Sequence, residues 1–360
     1  MYKLCLITLC TAATLVAQGP PPGPDMTIDA AVRNEVIANA LKALNQAYVF
    51  PDIATKMEQA IRDHQKRNEY DNLTSARKFG ETLTEHLRAV SQDKHLRVDY
   101  VSQTLPPQPA PGSQPPPDER ARALEQQRAV GARFNFSFEK VERLAGNIGY
   151  LDLRAFEPVV FVGDTAAAAM NFLSNTQAVI VDLRQNGGGD PLTVSLIASY
   201  FFGPMPVHLN DLFFRPTGET TQYWTLPYLP GKRMPDKDLY VLTSQRTFSG
   251  AEEFTYDMKT QKRATIIGEV TGGGAHPGGG RRLHDHFIMF VPSGRPINPV
   301  TKSDWEGTGV EPDVKVPAER ALATAHLMAL EKFVMNMPDA PRLKAEAEAA
   351  ISRLKKELSE

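Results

Sequence analysis

The sequence predicts an α/β protein with a sheet rich in parallel strands, preceded by a small helical domain. Two observations lead to this fold class. Apolar residues recur at helical spacing through residues 28–90, which indicates helices with one buried face. From residue 146 onward, short apolar runs alternate with helical patterns. Such strand–helix–strand repeats favour a mostly parallel sheet with helices packed on it.

The helical part contains three amphipathic stripes. Their apolar members are Val36, Ile37, Ala40, Leu41 and Leu44, then Ile53, Met57, Ala60 and Ile61, then Phe79, Leu83, Leu87 and Val90, with His86 in the third stripe. Pro51 and a polar stretch near residue 70 separate the stripes. Residues 96–100 then alternate between apolar and polar, as in a strand. His95 therefore lies between a predicted helix and a predicted strand.

The α/β part is defined by its apolar runs. They predict strands at 148–153, 178–183, 239–243, 264–268 and 287–291, and helices at 165–173, 192–202, 318–333 and 342–358. The run at 178–183 is almost continuously apolar, as in a strand that is covered on both faces. Residues 104–117 contain seven prolines, so we expect a loop or linker there.

These patterns predict six segments along the chain. They are a signal peptide at 1–17, a proline-rich tether at 18–26, a helical domain at 27–95, a strand with a proline-rich linker and lead-in at 96–144, the main α/β domain at 145–335, and a C-terminal helix at 336–360. The interval between Tyr100 and Asn147 is too short for an additional inserted domain of about 90 residues.

The N-terminus has the pattern of an export signal. Lys3 precedes an apolar run from Leu4 to Val16, and a plausible cleavage point follows Ala17. The run is shorter than the roughly 20 residues that a transmembrane helix needs. We therefore expect a periplasmic or secreted protein without a transmembrane helix in the mature chain. Cys10 is an alternative site of lipid attachment, although the bulky Leu9 before it disfavours lipidation.

Composition excludes several classes of function. The formal net charge is −2 and no basic run occurs, so we expect no nucleic-acid partner. Both cysteines, Cys5 and Cys10, lie in the signal segment, which removes disulfides and cysteine chemistry from the mature chain. The glycines at 187–189 and 272–274 match no nucleotide-binding motif. His276, His284 and His286 form no His-Glu-x-x-His motif, so we expect neither a cofactor nor a metal.

Ser249 is the most informative single residue. It lies between the apolar run at 239–243 and the start of a helix that carries acids in its first turn. A serine in this position is held at the carboxyl edge of a sheet, where α/β proteins form sites. Amide groups at the helix start can bind a developing negative charge. The local pattern fits an ordinary N-cap as well as a nucleophile.

Four motifs, in order, resemble peptidase family S41, the tail-specific or C-terminal processing serine peptidases. They are Asp182-Leu-Arg-Gln-Asn-Gly-Gly-Gly189, Thr247-Phe-Ser-Gly-Ala-Glu252, Gly268-Glu-Val-Thr-Gly-Gly-Gly274 and Gly307-Thr-Gly-Val-Glu-Pro-Asp313. Residues 146–151 and 305–310 are similar to the branch that contains the interphotoreceptor retinoid-binding protein modules and the tricorn core. The resemblance covers roughly residues 28–330 and implies a ClpP/crotonase-like β-α-β core, with 145–335 as the catalytic domain. The chain lacks room for the PDZ domain of other members.

One departure from the family decides the implied mechanism. Most tail-specific peptidases have a lysine base about 25 residues after the serine, but position 274 is glycine here and no lysine lies between Lys262 and Lys302. The tricorn-like branch instead pairs serine with histidine and glutamate. The matching positions are His95 and Glu306, which lies 57 residues after Ser249. The resemblance thus implies a Ser249–His95–Glu306 triad, with Gly250 and Gly188 (or Gly189) as oxyanion donors.

The implied function is that of an exported serine endopeptidase. It would hydrolyse peptide bonds in unfolded or C-terminal segments of polypeptide substrates through an acyl-enzyme intermediate. A carrier of apolar ligands, as in retinoid-binding modules, and another acyl hydrolase are the alternatives. The Gly-x-Ser-x-Gly elbow of esterases is absent around Ser249. Residues 104–117 or 213–228 are candidates for a lid over the cleft.

Overall fold

A computed structural model describes residues 23–107, 116–336 and 341–360. The predicted signal peptide at 1–17 and most of the tether lie outside the described residues. The strands are β1 (Arg97–Tyr100), β2 (Phe138–Leu144), β3 (Ile148–Leu153), β4 (Ala178–Asp182), β5 (His208–Phe214), β6 (Glu219–Trp224), β7 (Asp238–Thr243), β8 (Thr265–Gly268), β9 (Gly278–His284), β10 (Phe287–Pro292), β11 (Gly294–Ile297) and β12 (Val314–Lys315). The helices are α1 (Ala30–Ala47), α2 (Pro51–Lys66), α3 (Ala76–Ser91), α4 (Pro117–Ala132), α5 (Val159–Leu173), α6 (Pro191–Ser199), α7 (Gly250–Thr260), α8 (Ala318–Asn336) and α9 (Pro341–Ser359).

The chain forms two compact units. Of the described residues, unit 1 contains 23–107, Phe213–Thr220 and His276–Arg295, and unit 2 contains 116–212, Thr221–Ala275, 296–336 and 341–360. Unit 1 includes the β9–β10 hairpin together with the N-terminal helices, so it is assembled from separate stretches of the chain. A sequence pattern indicates local elements and gives no information on which distant elements they join.

Unit 2 is built on a six-stranded sheet of order β12-β8-β7-β4-β3-β2. Every neighbouring pair is parallel except β2–β3. Alternate residues of β4 enter different cores: Val179 and Val181 pack with α5, α6 and α7, whereas Ile180 packs with α8 and α9. Both faces are covered, which explains the nearly continuous apolar run in this strand. The predicted α/β class with a parallel-rich sheet is confirmed.

Unit 1 contains the predicted helical region, α1 to α3, which is also confirmed. The three helices share one apolar core with the antiparallel sheet β1-β10-β9. Phe79, Leu83 and Leu87 of the third stripe are buried there. Asp29 and Ser75 cap α1 and α3, because each side chain accepts a hydrogen bond from a first-turn amide.

The segment 96–144, predicted as a strand with a proline-rich linker and lead-in, contains more regular structure than the prolines suggested. Residues 108–115 are not described, but α4 begins at Pro117 and β2 follows it. A proline suits the first helical position because its missing N–H would have no partner there. No residue of α4 is buried, so this helix has no apolar stripe that a sequence pattern could reveal. Within the described ranges, none of the helices combines the length and apolarity needed to span a bilayer.

Candidate active site

Ser249 lies in the turn between β7 and α7, directly before the first residue of the helix. Its backbone has φ 55° and ψ −122°, a conformation that costs a residue with a side chain about 1–3 kcal/mol. β7 is an inner strand of the six-stranded sheet, so this turn lies at the carboxyl edge of the parallel strands. A serine held on a strained turn from strand to helix is the arrangement that exposes a nucleophilic hydroxyl.

The side chain of Glu252 holds the Ser249 turn in place. Its carboxylate accepts hydrogen bonds from the Ser249 N–H at 2.9 Å, the Gly273 N–H at 2.6 Å, the Gly274 N–H at 2.9 Å and the Thr271 hydroxyl at 2.5 Å. The side chain is completely buried. Burial raises the pKa of Glu252 to about 7, although its four donors act in the opposite direction. One carboxylate thus fixes both the serine turn and the glycine loop at 271–274.

Glu306 is positioned by the same glycine loop. Its Oε2 accepts a hydrogen bond from the Ala275 N–H at 2.5 Å. The buried indole of Trp305 donates to the Gly274 carbonyl at 2.9 Å, and the Gly307 N–H donates to the Gly273 carbonyl at 3.1 Å. Within unit 2, a chain of hydrogen bonds therefore links Ser249 to Glu306 through Glu252 and residues 273–275.

The glycines after β4 approach the serine turn closely. A Cβ atom added at Gly188 would lie 2.7 Å from the Gly250 nitrogen and 2.7 Å from the Ser249 Cβ, and the φ of Gly188 is 103°. Only glycine combines this backbone conformation with so close a contact. The buried Asn186 connects the two loops, since its carbonyl accepts from the Phe248 N–H at 3.1 Å and its side chain donates to the Leu153 carbonyl at 2.9 Å.

The amide groups in this region are not equally available to a ligand. The Gly188 N–H donates to Oδ1 of Asn186 at 2.8 Å, so this predicted oxyanion donor already has an acceptor. A Cβ atom on Gly250 would lie 3.0 Å from the Gly189 nitrogen, which shows that these two residues are neighbours. Neither the Gly189 N–H nor the Gly250 N–H has an acceptor within the described part of the chain. The pair Gly189 and Gly250 therefore fits an oxyanion hole better than Gly188 and Gly250.

His95 belongs to unit 1 and follows α3 in the turn that leads to β1. Its ring is 7% exposed and stacks on Phe290, with ring centroids 5.8 Å apart. Burial lowers the pKa of His95 to about 4, with the nearby Asp93 charge raising it in part. The imidazole is therefore neutral at neutral pH, which is the form that accepts a proton.

Asp93 organises the surroundings of His95. This fully buried carboxylate accepts from the His95 N–H at 3.0 Å, from Nδ1 of His276 at 2.7 Å and from the Tyr48 hydroxyl at 3.2 Å. His276 is 5% exposed and meets Phe50 edge to face. Unit 1 thus contains a buried aspartate that fixes the backbone of one histidine and the ring of another.

The three histidines considered as metal ligands do not act as one group. His276 binds Asp93, Nδ1 of His286 is 3.1 Å from the Val101 carbonyl, and His284 lies 4.0 Å from Glu35. His276 precedes β9, His284 ends this strand and His286 lies in the turn before β10, so each histidine has its own surroundings.

The predicted site residues fall into two groups. Ser249, Gly250, Gly188 and Glu306 lie in unit 2, where the serine and glycine loops are in contact, and His95 lies in unit 1. Sequence reasoning missed the roles of Glu252, Asn186 and Asp93. Glu252 has the pattern of an ordinary first-turn acid, and Asn186 that of a polar turn residue. For Asp93 a usable signal exists, because an acid two residues before a candidate base can bond that residue's amide.

Comparison with known proteins identifies the family of this chain. Residues 147–316 match the model of peptidase family S41, and residues 27–139 match the N-terminal domain of that family as described in eukaryotic IRBP. The two models follow each other along the chain, as the helical region and the parallel sheet do.

Solved structures show a similar fold. A lipoprotein from Streptococcus agalactiae aligns over 88% of this chain and 99% of its own, with 14% identity and a TM-score of 0.54. A candidate peptidase from Parabacteroides merdae aligns over 85% of this chain and 99% of its own, with 16% identity and a TM-score of 0.58. At such identities the likeness concerns the fold, and the two family models supply the relationship. This chain belongs to peptidase family S41, with an N-terminal domain of the type described in eukaryotic IRBP.

Proposed function

We propose that this protein is an exported serine endopeptidase that hydrolyses peptide bonds in unfolded or C-terminal segments of proteins. Ser249 is the nucleophile, His95 the general base and Glu306 the acid that orients the imidazole. The oxyanion donors are the amides of Gly250 and Gly189, the latter being the second of the two alternatives, Gly188 and Gly189, that the sequence offered.

The main support is the backbone conformation of Ser249. An N-cap serine needs no positive φ, since N-cap residues usually have extended backbones. Here the strained φ of 55° is maintained by a buried carboxylate and by close contact with glycine. Strain of this kind is retained where a reactive group must be presented in one orientation. Two amides without acceptors next to the same serine favour acyl transfer.

The proposed reaction follows from these groups. Oγ of Ser249 attacks the carbonyl carbon while the neutral His95 takes its proton. The Gly189 and Gly250 amides stabilise the oxyanion of the tetrahedral intermediate. His95 then protonates the leaving amine, and water releases the acyl group by the reverse sequence of proton transfers. Because the proposal combines residues of both units, it requires the two units to cooperate in turnover.

The decisive experiment separates the serine chemistry from the choice of substrate. The mature wild type, Ser249→Ala, His95→Ala and the surface control Ser352→Ala are incubated with unfolded casein and, separately, with a fluorophosphonate that labels activated serines. We expect Ser249→Ala and His95→Ala to lose turnover by about 10⁴-fold or more, as for catalytic residues of other serine peptidases. Ser352→Ala, on the exposed face of α9, should behave as wild type.

The labelling result decides between the alternatives. Labelling of Ser249 without casein cleavage would retain the nucleophile and redirect the search to other acyl substrates. Absence of both labelling and cleavage would favour the carrier of apolar ligands. Labelling that persists in Ser249→Ala would refute the nucleophile assignment.

Export rests on the sequence of residues 1–17. N-terminal sequencing of the protein recovered outside the cytoplasm should give a chain that begins after Ala17. A full-length chain found only in the cytoplasm would refute export.

A further inference from the structure

Three potential metal ligands lie together on unit 1, apart from the residues proposed for catalysis. His64 is in the last turn of α2, Glu69 is in the following turn, and His86 is in α3. One ligand atom from each lies within 4.8 Å of those of the other two. We call this set the α2–α3 histidine cluster. No sequence motif links its members, because they come from two helices and the connection between them.

The two imidazoles of the cluster are stacked. Their ring centroids are 3.6 Å apart and their planes differ by 8°. The stack brings a nitrogen of each ring within 4.8 Å of the other, and imidazole nitrogen is a common zinc ligand.

Hydrogen bonds fix the orientation of both rings. Nδ1 of His86 lies 2.9 Å from the hydroxyl of the buried Tyr70, which leaves Nε2 for a ligand. Nδ1 of His64 contacts Oε2 of Glu69. A phenol that holds the second nitrogen of a histidine is the type of outer contact that orients metal ligands.

Arg67 occupies the position next to these ligands. Its guanidinium lies 3.0 Å from Nδ1 of His64 and also binds Oε1 of Glu69. The cluster thus already binds one cationic side chain, but 55% of the Arg67 side chain is accessible to solvent. It neutralises Glu69 and competes with any metal ion for the same two side chains.

We propose that the α2–α3 histidine cluster binds a zinc ion through His64, Glu69 and Nε2 of His86. Two histidines and one glutamate are a set that zinc accepts, with water as the fourth ligand. Because the rings are stacked, one of them turns about its Cβ–Cγ bond, so that one nitrogen of each ring faces the ion. Arg67 swings into solvent. The ion would connect α2 to α3 and stabilise unit 1, independently of the proposed peptidase activity.

The test is calorimetric titration of the full mature protein with zinc chloride in a buffer that does not chelate zinc. We expect one zinc per chain, with affinity reduced more than about tenfold in His64→Ala and in Glu69→Gln. Arg67→Gln should bind zinc more tightly than wild type, because it removes the competing cation. His284→Ala, a partly exposed histidine of the same unit, should match wild type.

Circular dichroism without zinc shows whether each variant is folded, and thermal unfolding with and without zinc gives a second measure of binding. Zinc should raise the melting temperature of wild type and of His284→Ala, but not that of His64→Ala. Equal zinc affinity in wild type and His64→Ala would overturn the proposal. Weaker binding in Arg67→Gln than in wild type would also overturn it, because the guanidinium would then be part of the site.

Discussion

The serine turn of unit 2 and the histidine turn of unit 1 are held in different ways. The Ser249 turn is held mainly through main-chain amides, which converge on the buried Glu252. At the histidine turn, Asp93 fixes one main-chain amide, that of His95, and otherwise binds the side chains of His276 and Tyr48. The comparison shows that backbone hydrogen bonds hold the turn of the proposed nucleophile, whereas the turn of the proposed base depends mainly on side-chain contacts.

Glu252→Gln should produce the largest change outside the proposed triad. A glutamine offers one acceptor oxygen and an NH₂ group in place of two acceptors, so the bonds from Ser249, Gly273, Gly274 and Thr271 cannot all form. A displacement of the serine by about 1 Å can reduce turnover by about 10²-fold. We therefore expect kcat on casein to fall by about 10²-fold.

The adjacent Glu253→Gln is the matched control, because the Glu253 side chain is also buried but accepts its hydrogen bond from the Asn210 side chain rather than from the serine turn. Its kcat should remain within a few-fold of wild type. If both variants lose activity equally, general destabilisation of α7 would explain the loss, and the positioning role of Glu252 would be refuted.

Some features of this structure could be predicted from the sequence, and others could not. Strands such as β4 and helices such as α7 were predictable, because burial and capping leave periodic patterns. The grouping of the β9–β10 hairpin with the N-terminal helices was not, since it depends on long-range packing. Which glycine, Gly188 or Gly189, has an amide available as an oxyanion donor depends on which of them donates to the Asn186 side chain. A run of three glycines contains no information on that choice.

The second prediction concerns the pH at which activity is lost on the acid side. If His95 is the base, kcat/KM should fall about tenfold per pH unit below its pKa, which burial lowers to about 4. The sign follows from the reaction, because protonated imidazole cannot accept the serine proton. The measurement is kcat/KM on a peptide substrate from pH 3 to pH 8, with circular dichroism to confirm folding at each pH.

Asp93→Asn sharpens this test. The Asp93 charge raises the pKa of His95, whereas His276, Arg97 and Arg88 lower it. Removing that charge should move the acid limb to lower pH, while Asp99→Asn on β1 should leave it unchanged. If kcat/KM of the wild type fell off near pH 6.5, the base would be a histidine that is more exposed than His95 is in this structure.

The smallest expected effect is on the stability of the folded chain rather than on turnover. It depends on buried acids of α7, two of which are neighbours in the sequence. Burial raises the pKa values of both Glu252 and Glu253 to about 7, and Asp257, one turn further on, also has a raised pKa. Below the pKa values of the unfolded chain, which are 4.5 for the two glutamates and 3.8 for Asp257, these groups are protonated in both the folded and unfolded chain, so their contribution to stability is complete. As the pH rises towards 7, the unfolded chain loses protons that the folded chain retains, and the folded state is progressively destabilised.

Urea unfolding of the Ser249→Ala chain, which avoids self-cleavage, tests this at pH 5 and pH 7.5. The chain should be less stable at pH 7.5, and Glu253→Gln should reduce the difference between the two pH values by on the order of 1 kcal/mol, since one pKa unit corresponds to about 1.4 kcal/mol. Part of the difference in stability between the two pH values should remain, because Glu252 and Asp257 still titrate. The Glu252 carboxylate accepts four hydrogen bonds, whereas the Glu253 carboxylate accepts one from Asn210. The nearby Asp190 charge raises the pKa of Glu253 further. If Glu253→Gln left the pH dependence unchanged, Glu253 would be ionised in the folded chain, and Asn210 would be sufficient to hold the charge of a buried carboxylate.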